Sequence, residues 1–326
     1  MTGAGAPTCL RAARSRAAAV AGLGLLASVM GACFWVLWHW QLRAYPEWLA
    51  RQPAPAVTSL ERRGDVGRPG LPGRPDGPGA GREPWPGREP ARARLAIVID
   101  DWGYAWSAAE TFLAMDVPLT VAVIPFLPHS QEQAAAARQR GFEVLVHLPM
   151  EPLDPAVDPG PHAITIGLAP DEIRRRVEMA IDAVPGAVGV NNHMGSKATA
   201  DRRVMELVLE TVRRRGLFFV DSRTTAQSVV GEVAAGMGMP WARNDLFLDG
   251  ERSVGYVRAR LLLAARRALE TGQAVAIGHV RPATAAAVAS VLPELRRQGI
   301  EVVPVSALLG ERQRASIDRA GPAPVQ

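Results

Sequence analysis

Acidic, imidazole and amide side chains recur where short apolar runs of the sequence end. The groups are Asp100-Asp101, His147 with Glu151, Asn191-Asn192-His193, Asp221-Ser222-Arg223, and His279 with Arg281. Carboxylate oxygens and imidazole nitrogens without sulfur suit Zn²⁺ or another divalent transition metal, and a coordination position left open would hold an activated water. If these groups share one pocket, the sequence predicts metal-assisted hydrolysis.

The adjacent carboxylates of Asp100 and Asp101 have two interpretations. The segment Asp100-Asp101-Trp102-Gly103 is also typical of a helix cap or a turn. Neighbouring side chains of a strand point to opposite sides. The two carboxylates could therefore divide two tasks, one binding a metal while the other takes a proton.

The remaining groups also have structural interpretations. A lone histidine at a strand end, such as His147 or His279, is often a satisfied residue of the core or rim. The segment 191–196, NNHMGS, could shape a tight turn, and Asp221 with Arg223 could form an ion pair across a barrel mouth. The sequence leaves these alternatives open. Three further histidines receive no site role: His39, His129 and His162.

The elements that must hold these groups are βα units. From residue 93 onward, short apolar runs alternate with amphipathic stretches, which is the pattern of a parallel sheet. The predicted strands are LAIVID (95–100), LTVAVI (119–124), FEVLVHL (142–148), AVGVN (187–191), LFFVD (217–221), AVAIGHV (274–280) and EVVPVS (301–306), with a weaker candidate at 241–248. Pro170 and Asp201 mark helix starts, and Gly272 marks a helix stop.

Seven or eight such units favour a (β/α) barrel, complete or incomplete, with a doubly wound open sheet as the alternative. No phosphate-binding GxGxxG or P-loop motif supports a nucleotide-binding fold. In a barrel of parallel strands, all the carboxyl ends lie on one face, where such folds build active sites. The polar groups would then converge.

The N-terminal part of the sequence predicts a single membrane-spanning helix. Residues 17–38 carry no charge over 22 positions, long enough to cross a hydrocarbon core of roughly 30 Å. Arg11, Arg14 and Arg16 precede this run and would keep the N-terminus in the cytoplasm. We therefore expect a cytoplasmic segment 1–16, an inner-membrane signal anchor 17–40, and a later domain in the periplasm or otherwise outside the cytoplasm. A cleaved signal peptide, or a lipoprotein signal ending at Cys33, are the alternatives.

Composition separates two further segments from the folded domain, predicted at 93–309. Residues 41–92 are rich in Pro, Gly and Arg, a composition that predicts a disordered linker, and 310–326 reads as a flexible tail. Residues 1–92 hold 12 Arg and 6 acidic residues, which leaves 25 of the 37 basic and 26 of the 32 acidic residues for the remainder. The domain has no basic excess, so nucleic acid is not a predicted partner. Both cysteines precede residue 34, which excludes a disulfide framework and a cysteine-based zinc site from the domain.

Five ordered motifs resemble those of the divergent polysaccharide deacetylase family. They are LAIVIDDWGY, VLVHLPMEP, VGVNNHMGS, FFVDSRT and GHVRP, and together they span about residues 93–308. This family is similar to the NodB-type carbohydrate esterases. The resemblance implies a (β/α)7-type barrel that uses a divalent metal, with Zn²⁺ as the expected ion, to remove acetyl groups from polysaccharide.

The resemblance also implies residue roles. Asp100 would be the general base, Asp101 and His147 metal ligands, and His279 the general acid. The position of the esterases' second histidine ligand is Glu151 here, and His193 is expected to supply the missing imidazole. Substrate-binding roles are expected for a further set of residues: Glu151, Asn192, Ser196, Asp221, Arg223 and Arg281.

The predicted function is thus a membrane-anchored, metal-dependent deacetylase, a hydrolase of the carbon–nitrogen bond of N-acetyl groups. Its partner would be an acetylated polysaccharide or peptidoglycan-type glycan of the cell envelope. The alternative is a catalytically inactive glycan-binding or scaffold protein of the envelope. The loss of the second motif histidine favours that alternative, whereas an intact set of Asp101, His147 and His193 favours the enzyme.

Overall fold

A computed structural model describes residues 92–310, and these form a parallel α/β fold. The predicted segments 1–16 and 17–40 lie outside the described residues. So do the linker and the tail, apart from Arg92 and Gly310. Between residues 92 and 310, none of the helices is both long enough and apolar enough to span a membrane.

The strands and helices alternate along most of the domain. The strands are β1 (Ala93–Trp102), β2 (Thr120–Val123), β3 (Glu143–Met150), β4 (Gly189–Met194), β5 (Phe218–Asp221), β6 (Trp241–Arg243), β7 (Leu246–Phe247), β8 (Gln273–His279) and β9 (Ile300–Val302). The α-helices are α1 (Trp106–Leu113), α2 (Ser130–Gln139), α3 (Pro170–Asp182), α4 (Arg202–Arg214), α5 (Val230–Gly236), α6 (Val254–Thr271) and α7 (Pro282–Arg297). Two short 3₁₀ helices cover Ala198–Ala200 and Val305–Leu308.

All the strand pairs of the sheet are parallel, in the order β6-β5-β4-β3-β2-β1-β8-β7, with β9 added beside the start of β1. The first and last strands of this order, β6 and β7, are separated by only two residues of the chain, Asn244 and Asp245. The sheet must therefore curl until one short segment reaches both of its edges. This is the predicted barrel in an incomplete, curled form. The strand order has no reversal of the kind that defines a doubly wound sheet, so that alternative is wrong.

The two faces of each strand enter different cores because side chains alternate along a strand. On β1, Leu95, Ile97 and Ile99 belong to the large core between the sheet and the helices, whereas Ala96 and Val98 belong to a smaller core inside the curl. The amino-terminal end of this inner core is filled by apolar residues 303–309 of the C-terminal segment. The carboxyl-terminal end is left for polar side chains.

Local sequence signals fix the helix ends as predicted. Pro170 occupies the first turn of α3, where its missing N–H is not needed. The Asp201 side chain caps α4 by accepting a hydrogen bond from the Val204 N–H at 2.9 Å. Gly272 ends α6 in the left-handed conformation, at φ 85°, which residues with a Cβ rarely adopt.

Two strand predictions need correction. The predicted strand at 301–306 ends at Val302, and Val305–Leu308 is a 3₁₀ helix, because Pro304 lacks the N–H that a continuing ladder requires. The weak candidate at 241–248 is two strands, β6 and β7, which pair with opposite edges of the sheet.

Candidate metal centre

The polar residues of the predicted site face the interior of the curl at its carboxyl-terminal end. Asp100 follows Ala96 and Val98 at the same alternation on β1, His147 follows Leu145 on β3, and His279 follows Ile277 on β8. Parallel register places Asp100 opposite His279 and His147 opposite Asn191. Strand alternation and register therefore bring together residues that are far apart in sequence.

Asp101 reaches the same pocket through a local break in β1. A regular strand would turn this side chain away from Asp100, as the sequence predicted. Instead, the pairing of β1 with β2 shifts register between Ile99 and Trp102, and Asp101 adopts φ 67°. Both carboxylates therefore approach one ring: His147 Nε2 lies 3.3 Å from Asp101 Oδ1 and 3.6 Å from Asp100 Oδ2. The expectation of opposite directions is wrong because the bulge reorients Asp101.

Three ligand-type atoms form a nearly equilateral triangle. Asp101 Oδ1 is 3.1 Å from His193 Nδ1 and 3.3 Å from His147 Nε2, and the two nitrogens are 3.1 Å apart. The two imidazole rings meet edge to face, with centroids 4.8 Å apart. Asp101, His147 and His193, the metal ligands expected from the sequence, are thus brought together.

The amide of Asn191 fixes which His147 nitrogen faces the triangle. Asn191 Nδ2 donates to Asp100 Oδ1 at 2.8 Å, so its Oδ1 is the atom that lies 2.8 Å from His147 Nδ1. An amide oxygen only accepts, and His147 Nδ1 must therefore carry the proton. Neutral His147 then presents the Nε2 lone pair to the triangle, as a metal-binding imidazole requires.

The donor set fits a divalent transition metal. The buried Asp101 Oδ1 forms no hydrogen bond, although two ring nitrogens lie within 3.3 Å. One cation would satisfy all three atoms. Ligands bound to zinc at 2.0–2.1 Å with tetrahedral angles stand about 3.3–3.4 Å apart, close to the spacing found here. Asp101, His147 and His193 are the residues that would hold the ion.

Burial and opposite charges set the protonation of the acidic pair differently. Burial raises the pKa of Asp100 above its usual range, more strongly than His147 and His279 lower it. Burial also raises the pKa of Asp101, but the rings of His147 and His193 outweigh this and hold it well below its usual range. Asp101 is therefore the permanent anion, whereas Asp100 is the carboxylate with the higher proton affinity.

A second dyad, formed by Asp249 and His279, lies across the pocket. Asp249 is buried. Its Oδ1 lies 2.8 Å from His279 Nδ1, and its Oδ2 accepts a hydrogen bond from the His279 backbone N–H at 2.8 Å. The hydroxyl of Thr284 donates to Oδ2 at 2.8 Å. Burial lowers the pKa of His279, but the Asp249 carboxylate and the charges of Asp101 and Asp100 raise it overall. The ring is thus held as a proton donor with Nε2 turned away from Asp249.

Comparison with known proteins places this pocket in a family. Residues 97–309 match the family described as divergent polysaccharide deacetylase. The chain belongs to this family. The uncharacterized protein YibQ of Escherichia coli is 38% identical over 221 residues, which are 68% of this chain and 68% of that protein. An uncharacterized protein of Haemophilus influenzae is 37% identical over 196 residues, 60% of this chain and 70% of that protein.

A solved structure supports the same fold for this deacetylase-family chain. The crystal structure of an uncharacterized protein from Agrobacterium tumefaciens covers 69% of this chain and 92% of its own, at 29% identity and a TM-score of 0.65. The resemblance recognised in the sequence motifs is therefore confirmed for the family and for the curled parallel fold.

Glu151 is not part of the triangle in this family member. Its Oε1 pairs with Lys197 Nζ at 2.6 Å, and its Oε2 accepts from the Ile166 N–H at 2.7 Å. Burial raises its pKa, but Lys197 and the Ile166 N–H lower it overall. The carboxylate therefore ties the loop after β3 to the segment after β4.

The five other predicted substrate-binding residues have different surroundings, and two of them, Asn192 and Ser196, bond to the protein. Asn192 is 1% exposed, and its amide bonds the Met194 carbonyl at 2.7 Å and the Ser222 N–H at 2.9 Å. The Asn192 amide therefore bonds to the protein backbone and is buried. The Ser196 hydroxyl accepts from the Leu153 N–H at 2.9 Å.

Asp221 and Arg223 are linked through the backbone. Asp221 Oδ1 accepts from the Arg223 N–H at 2.8 Å and Oδ2 from the Ser228 hydroxyl at 2.8 Å, while the Arg223 side chain is exposed at the mouth. Arg281 Nη1 donates to the Asp249 carbonyl at 3.1 Å and lies 3.5 Å from its Oδ2. Arg281 thus supports the dyad.

Sequence reasoning missed Asn191 and Asp249 as site residues. Asn191 stood within a recognised motif, but only the structure shows that it is the amide bonded to both Asp100 and His147. Asp249 follows the short strand β7, and an acid directly after a predicted strand was the signal available for it.

Proposed function

We propose that this protein is a metal-dependent deacetylase that hydrolyses acetyl groups, N-acetyl groups in particular, on a cell-envelope polysaccharide. The observation that carries the proposal is the triangle of Asp101, His147 and His193, with Asp100 on one side and the His279 dyad on the other. The family match supports acetylated polysaccharide as the substrate class. We propose Zn²⁺ as the ion because two imidazoles and one carboxylate suit it.

The proton acceptor in this mechanism is Asp100. When bound, the divalent cation supplies Lewis acidity that polarises the acyl carbonyl and acidifies a water molecule. Asp100 takes a proton from this water molecule as the water oxygen adds to the acyl carbon. The raised pKa of this buried carboxylate, caused by desolvation, makes it a stronger base than an exposed aspartate. Asn191 holds Oδ1 and leaves Oδ2 for the transfer.

His279 completes the reaction by protonating the leaving group. As the bond between the acyl carbon and the amide nitrogen breaks, His279 Nε2 donates a proton to that nitrogen, so acetate and a free amine leave. Asp249 holds Nδ1 and stabilises the imidazolium form. Asp100 then gives up the proton it took from water and neutral His279 regains one, which restores both groups for the next turnover.

Metal content and acetate release test this proposal together. Elemental analysis of the purified full-length protein should give about one equivalent of metal, and acetate should be released from chito-oligosaccharides or peptidoglycan. Asp101→Ala and His193→Ala should lose both properties. His129→Ala is the matched control, because His129 contacts Glu132 and lies outside the triangle, and it should retain both. A wild-type protein that stays metal-free after reconstitution at neutral pH would refute the mechanism.

A second candidate function is glycan binding without catalysis. It is favoured by Glu151, which stands where the resemblance places a second histidine ligand and is instead paired with Lys197. A protein that holds metal and binds glycan, yet releases no acetate, would establish this alternative.

We further propose that the domain acts outside the cytoplasm, anchored by residues 17–40. The uncharged run at 17–38 and the arginines before it support this location. A C-terminal alkaline phosphatase fusion should be active, and deletion of 17–40 should abolish its activity and its membrane association. An active fusion in the deletion variant would count against the anchor.

A further inference from the structure

Strained backbone marks the carboxyl-terminal mouth of the sheet. Among residues 92–310, five residues other than glycine have positive φ: Asp101, Phe126, His162, Met194 and Arg223. Each lies at the end of a different strand from β1 to β5 or in the loop that follows it. Such conformations are unfavourable for residues with a Cβ and concentrate where proteins bind ligands.

The positive φ of two of these residues is explained by the triangle, and that of a third by local hydrogen bonding. Asp101 is a proposed ligand, and Met194 follows the proposed ligand His193 and offers its carbonyl to Asn192. The Arg223 N–H bonds to Asp221. Phe126 at φ 67° and His162 at φ 58° lie outside the triangle.

Phe126 and His162 form one aromatic unit from two loops. Their ring centroids are 5.0 Å apart at an interplanar angle of 68°. Phe126 follows β2, whereas His162 belongs to the loop 151–169 between β3 and α3. A loop of this length in a compact domain is commonly functional. The two residues with positive φ are therefore neighbours at the mouth, although they come from different loops.

Two further large side chains, Tyr104 and Leu153, are exposed on loops at the same carboxyl-terminal mouth. Tyr104, three residues after Asp101, is 59% exposed, Phe126 is 39% exposed, and Leu153, after β3, is 65% exposed. The β1 and β2 loops are in close contact, since a Cβ added to Gly103 would lie 3.2 Å from Leu127 Cβ. Burial raises the pKa of Tyr104, as do the charges of Asp101 and Asp158. The Leu153 N–H donates to the Ser196 hydroxyl at 2.9 Å, which ties the loop after β3 to the segment that follows His193.

We infer that Tyr104, Phe126, Leu153 and His162, the rim patch, form a subsite that stacks a pyranose ring adjoining the sugar whose acetyl group enters the triangle. This inference rests on the proposed function for its substrate class. A pyranose has an apolar C–H face that matches the electron-rich face of an aromatic ring, and hydroxyl edges that match a phenol and a carboxylate. Because Tyr104 and Leu153 lie on the loops that follow the strands of Asp101 and His147, the occupant of the patch is the same glycan chain. The patch gives the site a preference for oligosaccharides over monosaccharides.

Binding without turnover tests the rim patch separately from catalysis. Calorimetry on the full-length Asp100→Asn protein would compare tetra-N-acetylchitotetraose with N-acetylglucosamine. Adding Phe126→Gly should raise the Kd of the tetrasaccharide roughly tenfold and leave that of the monosaccharide unchanged. His162→Gly should act in the same direction. Phe126→Tyr should keep the tetrasaccharide Kd within about twofold, because the ring remains.

Two controls separate a lost contact from lost folding. Glycine tolerates φ 67°, which offsets the lost ring contact with His162, so Phe126→Gly should unfold within a few degrees of the parent protein. Leu263→Ala removes an apolar side chain on α6 that is 46% exposed and should leave both Kd values unchanged.

The outcomes distinguish the rim patch from the proposed function. An unchanged tetrasaccharide Kd in Phe126→Gly, or no detectable tetrasaccharide binding by the parent, would overturn the rim patch. Tetrasaccharide binding that depends on Phe126, in a protein whose wild type releases no acetate, would support the patch and refute deacetylation. Acetate release by the wild type, together with a tetrasaccharide Kd that does not depend on Phe126, would support deacetylation and refute the rim patch.

Discussion

Asn191 is the residue through which the proposed base and the proposed ligand set are joined. Its amide donates to Asp100 and accepts from His147, both at 2.8 Å, and it is fully buried. No rotation of the amide satisfies both partners except the one found, because an amide has one donor end and one acceptor end. The residue thus fixes the His147 tautomer while it orients Asp100.

Replacement of Asn191 by leucine should lower the affinity of the protein for the metal. The His147 ring would lose the acceptor that keeps Nδ1 protonated, and loss of such a supporting contact typically costs 10–100-fold in metal affinity. Competition with a chromophoric chelator would measure the change. Ser222→Ala is the control, since it removes only the longer 3.4 Å contact to Asn191, and its affinity should stay within about threefold of wild type. Equal affinities for wild type and Asn191→Leu would show that His147 needs no such support.

The Asp249 and His279 pair predicts the pH dependence of the reaction. Activity requires Asp100 deprotonated and His279 protonated, and the pKa of each is raised in the folded protein. Activity should therefore fall at low pH as Asp100 takes up a proton, and at high pH as His279 loses one.

Asp249→Asn should move the alkaline limb of this profile to lower pH. Removal of the carboxylate takes away the interaction that most raises the pKa of His279, so the imidazolium is lost earlier as pH increases. Profiles of kcat/KM against pH would show the shift. Thr284→Val removes one hydrogen bond to Asp249 but keeps its charge, and its limb should move less. An unmoved limb in Asp249→Asn would remove His279 from the role of general acid.

At the scale of elements, the sequence was sufficient wherever an apolar run leads directly into its polar end within one continuous strand. The carboxyl ends of β1, β3, β4, β5 and β8 were predicted within a few residues because each carries a continuous buried run. β6 and β7 are so short that the sequence showed only one weak candidate at 241–248, and Asp249 directly after it was not counted among the polar strand ends. The bulge that turns Asp101 inward depends on pairing with β2, a tertiary feature without a sequence signal.

The C-terminal 3₁₀ helix, Val305–Leu308, closes the end of the curl opposite the proposed metal centre. Glu143 at the start of β3 accepts hydrogen bonds from the Thr120 hydroxyl at 3.0 Å and the Ser306 N–H at 3.2 Å. Thr120 in turn accepts from the Val305 N–H at 3.0 Å. Burial nevertheless raises the pKa of Glu143, so its charged form is disfavoured in the folded state.

Glu143→Gln should therefore stabilise the protein at neutral pH. For a carboxyl whose pKa is higher folded than unfolded, stability decreases as pH rises from the unfolded value through the folded value. Glutamine keeps an acceptor oxygen without the charge, so the variant should lack this decrease. Urea unfolding at pH 4 and pH 7 would measure the free energy of unfolding of both proteins. Thr120→Val is the control, because it loses the hydrogen bond to Glu143 and should be less stable than wild type at both pH values. A Glu143→Gln protein less stable than wild type at pH 7 would mean that the charged hydrogen bonds outweigh burial.

For the whole molecule, the proposed ion would be a cross-link between three strands of an open-edged sheet. Asp101, His147 and His193 come from β1, β3 and β4, so a ligand bound only by the folded state ties together the loops on one side of the mouth. An ion present at 100 times its Kd adds about 2.7 kcal/mol to the free energy of unfolding. For a domain of this size, that corresponds to a rise of roughly 5–10 °C in Tm.

Thermal unfolding with and without zinc should therefore separate the ligands from other histidines. Wild type and His129→Ala should both gain this rise when Zn²⁺ is added after chelator treatment, because their triangles are intact. Asp101→Ala and His193→Ala should gain little, since each loses one of three ligands and the affinity that depends on it. The metal-free Asp101→Ala protein should unfold below the wild-type temperature, because it loses a carboxylate whose pKa, despite burial, the rings of His147 and His193 hold well below its usual range in the folded state. A zinc-dependent rise in unfolding temperature of equal size in all four proteins would mean that the ion binds elsewhere. The chemistry proposed for the triangle would then be wrong.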